Sequence, residues 1–510
     1  MRHTRDEGGR AKLCHPQAVD DALAILASEA LPLTAPEQSA KTGLTAAQSR
    51  VFGRLAAVFG IAGLTAPDVM VVVLWFLGLI ACALLILWRA GLVLVGAVLR
   101  HVRGRMETID SDLAPPTYTL LIPLYREAAV ARQLAAAIGR LDYPEDRLDV
   151  KLLVETGDDE TLHALQQQSW PTGTEILVAP PGIPRTKPRA LNYGLQRARG
   201  ALLTIYDAED RPHTAQLRAA AAAFAKGGSS LACVQAPLRA DTKGRNWIAR
   251  HWALEYAVQF GLLMPALAAL QLPILLGGTS NHFRTDMLRK IGGWDAWNVT
   301  EDADLGLRLA RSGGRVATIR PPTLEEPPHT LNVWAAQRSR WIKGFMQTWL
   351  VLMRRPKRAI AEMGLLSFLS VQLGLGGAVL AAMLHGPALM MVIIGILMGN
   401  PPTGIALILI VSGYGLYGLG AALAPGARLQ AVGTALTAPI YWPLHSIAAM
   451  RAVYGCLKDP HFWAKTPHGP TPNLGGAPAC STGSSQDLPS PAVSDLPSSQ
   501  TGKPANPGMT

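Results

Sequence analysis

Residues 69–88 read VMVVVLWFLGLIACALLILW, twenty positions without a charge. That length matches the thickness of a bilayer's hydrocarbon core, so the chain is expected to cross a membrane. Arg89 interrupts, GLVLVGAVL extends the apolar pattern to Leu99, and Arg100, His101, Arg103 and Arg105 follow. Basic residues stay on the cytoplasmic side, which places the next segment in the cytoplasm. A weaker apolar run at 51–64 reads as a second crossing or an interfacial helix, leaving the side of the N-terminus open. No secretory signal is visible, since the opening MRHTRDEGGRAK is polar.

Composition fits a membrane protein with a soluble part: 49% apolar residues against 16% charged, and a mean hydropathy of +0.20. The net charge of +11 is accounted for by basic residues kept on one side of the bilayer. No basic run is interleaved with aromatics, so nucleic acid is not an expected partner. The cysteines Cys14, Cys82, Cys233, Cys456 and Cys480 show no metal-ligand spacing and read as free thiols.

Residues 1–50 form a polar N-terminal segment and 51–99 the first membrane region. From 113 to 350 the character changes. Strand-like runs at 118–122, 150–154 and 202–206 alternate with helical patterns such as 129–141. That alternation predicts an α/β domain with a mainly parallel sheet, inserted between membrane helices. Residues 359–457 are apolar again, with candidate crossings at 363–384, 387–398, 404–423 and 432–457, the last kinked by Pro439 and Pro443. Four crossings would return the chain to the cytoplasm, in keeping with Arg451, Lys458 and Lys465. The Pro/Ser-rich stretch 469–510 reads as a disordered tail.

Ligands of parallel sheets bind at the carboxyl ends of strands, and four polar groups are of interest there or downstream. Asp207-Ala208-Glu209-Asp210 directly follows a strand. Two of its carboxylates can hold Mg²⁺ or Mn²⁺ against a diphosphate, though a solvated turn has the same composition. Glu155-Thr156-Gly157-Asp158-Asp159 follows another strand and suits either a nucleoside contact or a helix cap. In Thr300-Glu301-Asp302-Ala303-Asp304, Asp302 can act as general base, while Thr300 can cap a helix. In Gln337-Arg338-Ser339-Arg340-Trp341, the residues Gln337, Arg340 and Trp341 share one helix face. Arg340 can neutralise a leaving diphosphate and Trp341 can stack on a sugar ring. A Trp–Arg pair beside a membrane is also a common anchor. Lys187 and Asn192 are placed near phosphate or base, and Gly277–His282 near an acceptor. Residues 249–270, with Trp252 and Tyr256, read as a helix lying on the membrane or in the core.

The ordered set of a D-x-D-like motif, T-E-D and Q-x-x-R-W, followed by membrane helices, resembles the membrane-embedded family 2 glycosyltransferases of the GT-A fold. These include bacterial cellulose synthase and exopolysaccharide synthases. The likeness covers residues 118–463 and opens on Ile122-Pro-Leu-Tyr-Arg-Glu127. It implies a hexosyltransferase that inverts the anomeric centre of a UDP-sugar. Asp207 with Glu209 or Asp210 would bind the metal. Asp302, beside Glu301, would be the catalytic base. Glu155, Asp158, Asp159, Lys187, Gln337, Arg340 and Trp341 would bind substrate. Implied partners are the UDP-sugar donor, a saccharide or lipid-linked acceptor, membrane lipids and accessory export subunits. The expected setting is a multi-pass protein of the bacterial inner membrane with a cytoplasmic catalytic domain. D-A-E-D departs from D-x-D, and E-T-G-D-D from the usual D-D-G. No cyclic-dinucleotide domain follows the helices. The leading expectation is synthesis and export of an exopolysaccharide. The alternatives are single transfer to a lipid (polyprenyl phosphate, diacylglycerol or ceramide-like) and a non-catalytic assembly subunit.

Overall fold

The computed structural model describes residues 12–14, 18–103, 114–241, 246–426 and 429–462. Arg105, Lys465, Cys480 and the tail from 469 lie outside these residues. Eleven strands are present among them: β1 (Lys12–Cys14), β2 (Tyr118–Leu124), β3 (Leu148–Glu155), β4 (Glu175–Ala179), β5 (Leu202–Ile205), β6 (Arg211–Pro212), β7 (Leu231–Gln235), β8 (Leu238–Ala240), β9 (Asn281–Arg284), β10 (Arg315–Thr318) and β11 (Thr323–Glu325). Eight form one sheet in the order β1-β4-β3-β2-β5-β9-β7-β10, and β6-β11-β8 form a small second sheet. In the large sheet only β9 runs antiparallel to its neighbours. β2 pairs with β3 in register Leu120↔Val150 and with β5 in register Leu120↔Thr204.

The central strands are buried on both faces, which is why they read as unbroken apolar runs rather than alternating ones. β3 breaks that rule. Its buried Lys151 reaches Asp149 Oδ1 at 2.8 Å and Glu175 Oε2 at 2.5 Å, a paired arrangement that lets both charges stay inside. Successive strands run outward from β2 in both directions, so the carboxyl ends of β2 and β5 flank a topological switch point.

Four helices are long and apolar enough to cross a membrane: Pro67–Val102, Trp247–Ala269, Leu365–Leu397 and Gly404–Leu423. Trp247–Ala269 leaves from β8 and returns to β9, both within the catalytic sheets, so it stays with that domain and lies at its membrane-facing surface. The expected crossings at 363–384 and 387–398 are instead one helical run, Leu365–Leu397, with Pro387 inside it. Proline is tolerated there because neighbouring helices and local adjustments re-satisfy the backbone. The expected kinked crossing at 432–457 is three short helices, Leu429–Ala435, Ala438–Tyr441 and Pro443–Lys458. Pro439 and Pro443 each fall at a helix start, where the missing N–H costs nothing.

Both flanks of the membrane helices tie back to the loop before Glu301 or to the helix Leu331–Leu352 and the turn that follows it. Asp295 accepts from Ser39 Oγ at 3.0 Å and from Ala40 N at 2.6 Å. Arg354 donates to the carbonyls of Ser39 (2.7 Å) and Gly43 (2.8 Å). On the other flank, Lys343 Nζ donates to Asp459 O at 2.6 Å and Gln347 Nε2 to Pro460 O at 2.7 Å. Arg308 braces the start of the loop before Glu301 by donating from Nη1 to Ile291 O at 2.9 Å, and its Nε meets Asp304 Oδ2 at 2.7 Å with both side chains 3% exposed. Removing one partner of such a pair leaves a buried charge alone. Asp304→Ala is therefore expected to cost about 3–5 kcal/mol of stability. Denaturant unfolding of the detergent-solubilised protein checks this, and a loss under about 1 kcal/mol would contradict the bracing role.

Candidate active site

β5 delivers Asp207 to the switch point, and the turn after it is fixed by Asp210. Asp210 Oδ2 accepts from Asp207 N at 2.8 Å and from the Thr279 hydroxyl. Burial, then the nearby charges of Asp207 and Glu325, push the Asp210 carboxyl well above its ordinary range. Asp207 and Glu209 face a cavity of about 1670 Å³, whereas Asp210 does not line it. The acidic turn thus divides into two outward carboxylates and one inward carboxylate that shapes it.

Lys187 opens the helix Lys187–Arg197 and pairs with Asp207, while also donating to Gly278 O at 2.7 Å. Burial disfavours its charge, but Asp207 and Glu301 outweigh that and hold its pKa above the ordinary value. A Cβ on Gly278 would stand 3.5 Å from Asp302 Oδ2 and 4.0 Å from Lys187 Nζ, so Lys187 and Asp302 meet over that backbone.

Thr300 precedes the helix Glu301–Arg311 but makes no side-chain cap to it. The Thr300 N–H instead donates to Asn298 Oδ1 at 3.0 Å. Gly344 explains how this helix start reaches the Q-x-x-R-W helix, Leu331–Leu352. A Cβ at Gly344 would come within 2.2 Å of Thr300 Oγ1, so only glycine permits the approach. Gln337, Arg340 and Trp341 all face the cavity, and Arg340 is within electrostatic reach of Glu301 and Asp302. Trp341 continues an aromatic wall: its ring lies 6.3 Å from Tyr256, which stacks on Trp252 at 3.7 Å. Gln337 Oε1 accepts from Trp252 Nε1 at 2.9 Å, which holds the wall in place.

Burial and the adjacent Asp302 raise Glu301 to about 8. Burial raises Asp302 as well, against the pull of Ala303 N–H, Lys187 and Arg340. Both carboxyls are thus held above their ordinary range, each by burial first. A base with a raised pKa loses its function on mild acidification. The kcat/KM profile is therefore expected to fall with decreasing pH at a midpoint above the 3.8 of an ordinary aspartate. A flat profile down to that value would remove Asp302 from the role.

Of the acidic candidates Glu155, Asp158 and Asp159 at the end of β3, only Glu155 lines the cavity. Asp158 is a cap: its Oδ1 accepts from Thr161 N at 3.4 Å and its Oδ2 from Arg126 N. Asp159 is exposed on the first turn of that helix, away from the cavity. Of the two, Asp158 is engaged in capping and Asp159 faces outward, and neither lines the cavity. Asn192 is likewise spent on the backbone, donating to Ala27 O at 2.8 Å and Trp294 O at 2.7 Å. Gly277 and Gly278 line the cavity, whereas His282 is fully buried against the Tyr118 hydroxyl at 2.7 Å, and burial lowers its pKa to about 3.

Glu325, on β11, was not singled out by the sequence and also lines the cavity. Burial and the charges of Asp207 and Glu209 raise it to about 8. It sits in a three-residue strand without a motif; its one signal is the acidic pair Glu325-Glu326. Among the described residues no three His, Cys, Asp or Glu side chains form a preformed metal centre. Asp207 and Glu209 are two carboxylates on the cavity wall, hard oxygen donors of the kind that would hold Mg²⁺ or Mn²⁺.

A mostly parallel sheet with carboxylates after one strand, and a second carboxylate pair lining the same cavity, fits a nucleotide-sugar transferase domain of the GT-A type. Residues 115–344 match the family model described as glycosyltransferase like family 2, so the chain carries a domain of that family. A probable glycosyltransferase, YdaM, of Bacillus subtilis is 25% identical over 232 residues, 45% of this chain and 55% of that protein. The β-monoglucosyldiacylglycerol synthase of Synechocystis is 25% identical over 273 residues, 52% of this chain and 56% of that protein. The chain spans about half the length of these curated relatives. A solved mannosyltransferase from Pyrobaculum calidifontis, in complex with GDP-Man and Mn²⁺, superposes with a TM-score of 0.46 at 19% identity, over 75% of this chain and 99% of that one.

Proposed function

We propose that this protein is an inverting hexosyltransferase that moves a hexose from a UDP-sugar to a lipid acceptor at the membrane. One observation carries the choice of acceptor: the cavity. It extends from Asp207 and Asp302 into the helices Pro67–Arg103, Gly377–Leu397 and Gly404–Leu423, where its walls are aliphatic, as at Leu74, Leu85, Leu384 and Ile410. A sugar polymer in that space would leave ring hydroxyls without partners, at a cost for each. His385 and Tyr414, which are polar, already bond each other at 3.0 Å. An acyl or prenyl chain suits those walls. The cavity's volume exceeds that of an ordinary ligand pocket, leaving room for donor and acceptor together. The name of the Synechocystis relative supports the same reading.

In this mechanism the acceptor O–H attacks the anomeric carbon while Asp302 takes its proton. The bond to the diphosphate oxygen breaks, and UDP leaves with its charge met by Arg340. A Mg²⁺ or Mn²⁺ held by Asp207 and Glu209 would supply further charge neutralisation there. The aromatic wall of Trp252, Tyr256 and Trp341 gives the transferred sugar a stacking surface. It also favours the second reading, polymer extension. The setting we propose is the bacterial inner membrane, catalytic domain in the cytoplasm.

Inverted membrane vesicles supplied with Mg²⁺ or Mn²⁺ and labelled UDP-sugars separate the readings. The expected product extracts into organic solvent as one discrete species. Label in long, solvent-insoluble chains would replace the lipid reading with the polymer one. Label in neither would refute both.

A further inference from the structure

We infer that the acceptor lipid is anionic, and that Arg89 binds a phosphate of its headgroup while the acceptor hydroxyl reaches Asp302. This rests on the lipid reading above. Arg89 comes directly after the uncharged run 69–88, in the helix Pro67–Arg103. It therefore stands where the aliphatic part of the cavity meets the catalytic part, at headgroup level. Its side chain is exposed and lines the cavity. Among the described residues no hydrogen bond or ion pair engages it. Glu255 and Tyr417 act on it only through their field.

A guanidinium cannot shed its charge, and an unpaired one at a membrane marks a functional position. Glu255 does not fill the need. It is already paired with Arg338, accepts from the Tyr441 hydroxyl at 3.2 Å, and faces His445 Nε2 at 3.5 Å. One carboxylate thus serves two guanidinium groups, and one positive charge is left facing the cavity. A phosphate oxyanion in the cavity would satisfy Arg89, since the planar guanidinium matches phosphate geometry. The donor's own diphosphate is met elsewhere, by Lys187, Arg340 and the Asp207 turn.

The test uses the full chain in phosphatidylcholine vesicles with the labelled UDP-sugar. Membrane lipids of the expressing cells are split by anion exchange into neutral and anionic fractions and offered separately. Label is expected in a product from the anionic fraction, itself still anionic. Arg89→Gln should raise the KM for that fraction at least tenfold and leave the KM for the UDP-sugar within about twofold. Arg89→Lys should recover part of the loss, which a folding defect would not. Label from the neutral fraction overturns the inference while leaving the lipid reading intact. So does a neutral product that the anionic fraction merely stimulates, because the phosphate would then belong to the surrounding bilayer. An unchanged KM in Arg89→Gln also overturns it. Label in polymer alone overturns the lipid reading and this inference with it.

Discussion

Asp302→Asn is expected to lower kcat by roughly 10²- to 10⁴-fold, the range a positioned general base contributes. Asparagine keeps the shape and the bond from Ala303 N–H, which Asp302 Oδ1 accepts at 2.8 Å. It loses only the ability to take a proton. Glu301 is not placed to take over, because it is packed inside the helix start, 2% exposed. UDP binding, followed by calorimetry, should be unchanged, since the donor's diphosphate is met by other residues. A variant turning over within a few-fold of the parent would remove Asp302 from the chemistry and revive a non-catalytic role for the chain.

Asp207→Asn is the second large effect expected. Charge stabilisation by a bound metal is worth several kcal/mol, so kcat/KM should fall roughly 10³-fold. UDP affinity should also stop responding to Mg²⁺ or Mn²⁺. The loss has a second source: Lys187 pairs with Asp207, and without it one of the two groups holding that ammonium at the centre is gone. Asp210→Asn provides the contrast. Asp210 shapes the turn from within, and its carboxyl is already pushed towards the neutral form. Its loss should show in stability before it shows in metal response. If the two variants lose metal dependence equally, the division of the turn into outward and inward carboxylates is wrong.

What could be read from the sequence follows from how local each signal is. The strands at 118–122, 150–154 and 202–206 were legible because parallel strands buried on both faces are written as continuous apolar runs. Asp302 and the Gln337, Arg340, Trp341 face were legible because one helix start and one helix face fix them. Asp158 and Asp210 were not separable from their neighbours, since whether a carboxylate caps a turn or faces a cavity is settled by backbone direction. Glu325 and Arg89 were invisible for a different reason. Each becomes informative only through residues far away in the chain, Asp207 and Glu209 for one, Glu255 and Arg338 for the other. Pro387 and the pair Pro439, Pro443 show the same limit, because a helix interior and a helix start have the same local sequence.

Asp295 and Arg354 hold residues 39–43 beside the catalytic domain, as β2 holds residue 118. A chain that leaves and rejoins one face of a bilayer passes through it an even number of times. With Pro67–Arg103 as one passage, the helix Ala46–Thr65 would have to supply the other, although its composition is marginal for the task. Its exposed Val51, Phe52, Leu55, Val58, Phe59, Ile61 and Leu64 would then meet lipid tails. Arg50 and Arg54 near its start would remain beside the catalytic domain, where the positive-inside rule places them. The two helices would then form an out-and-back pair whose outer turn is the short link at Ala66, and a tag inserted there is expected on the face of the membrane opposite the sugar chemistry.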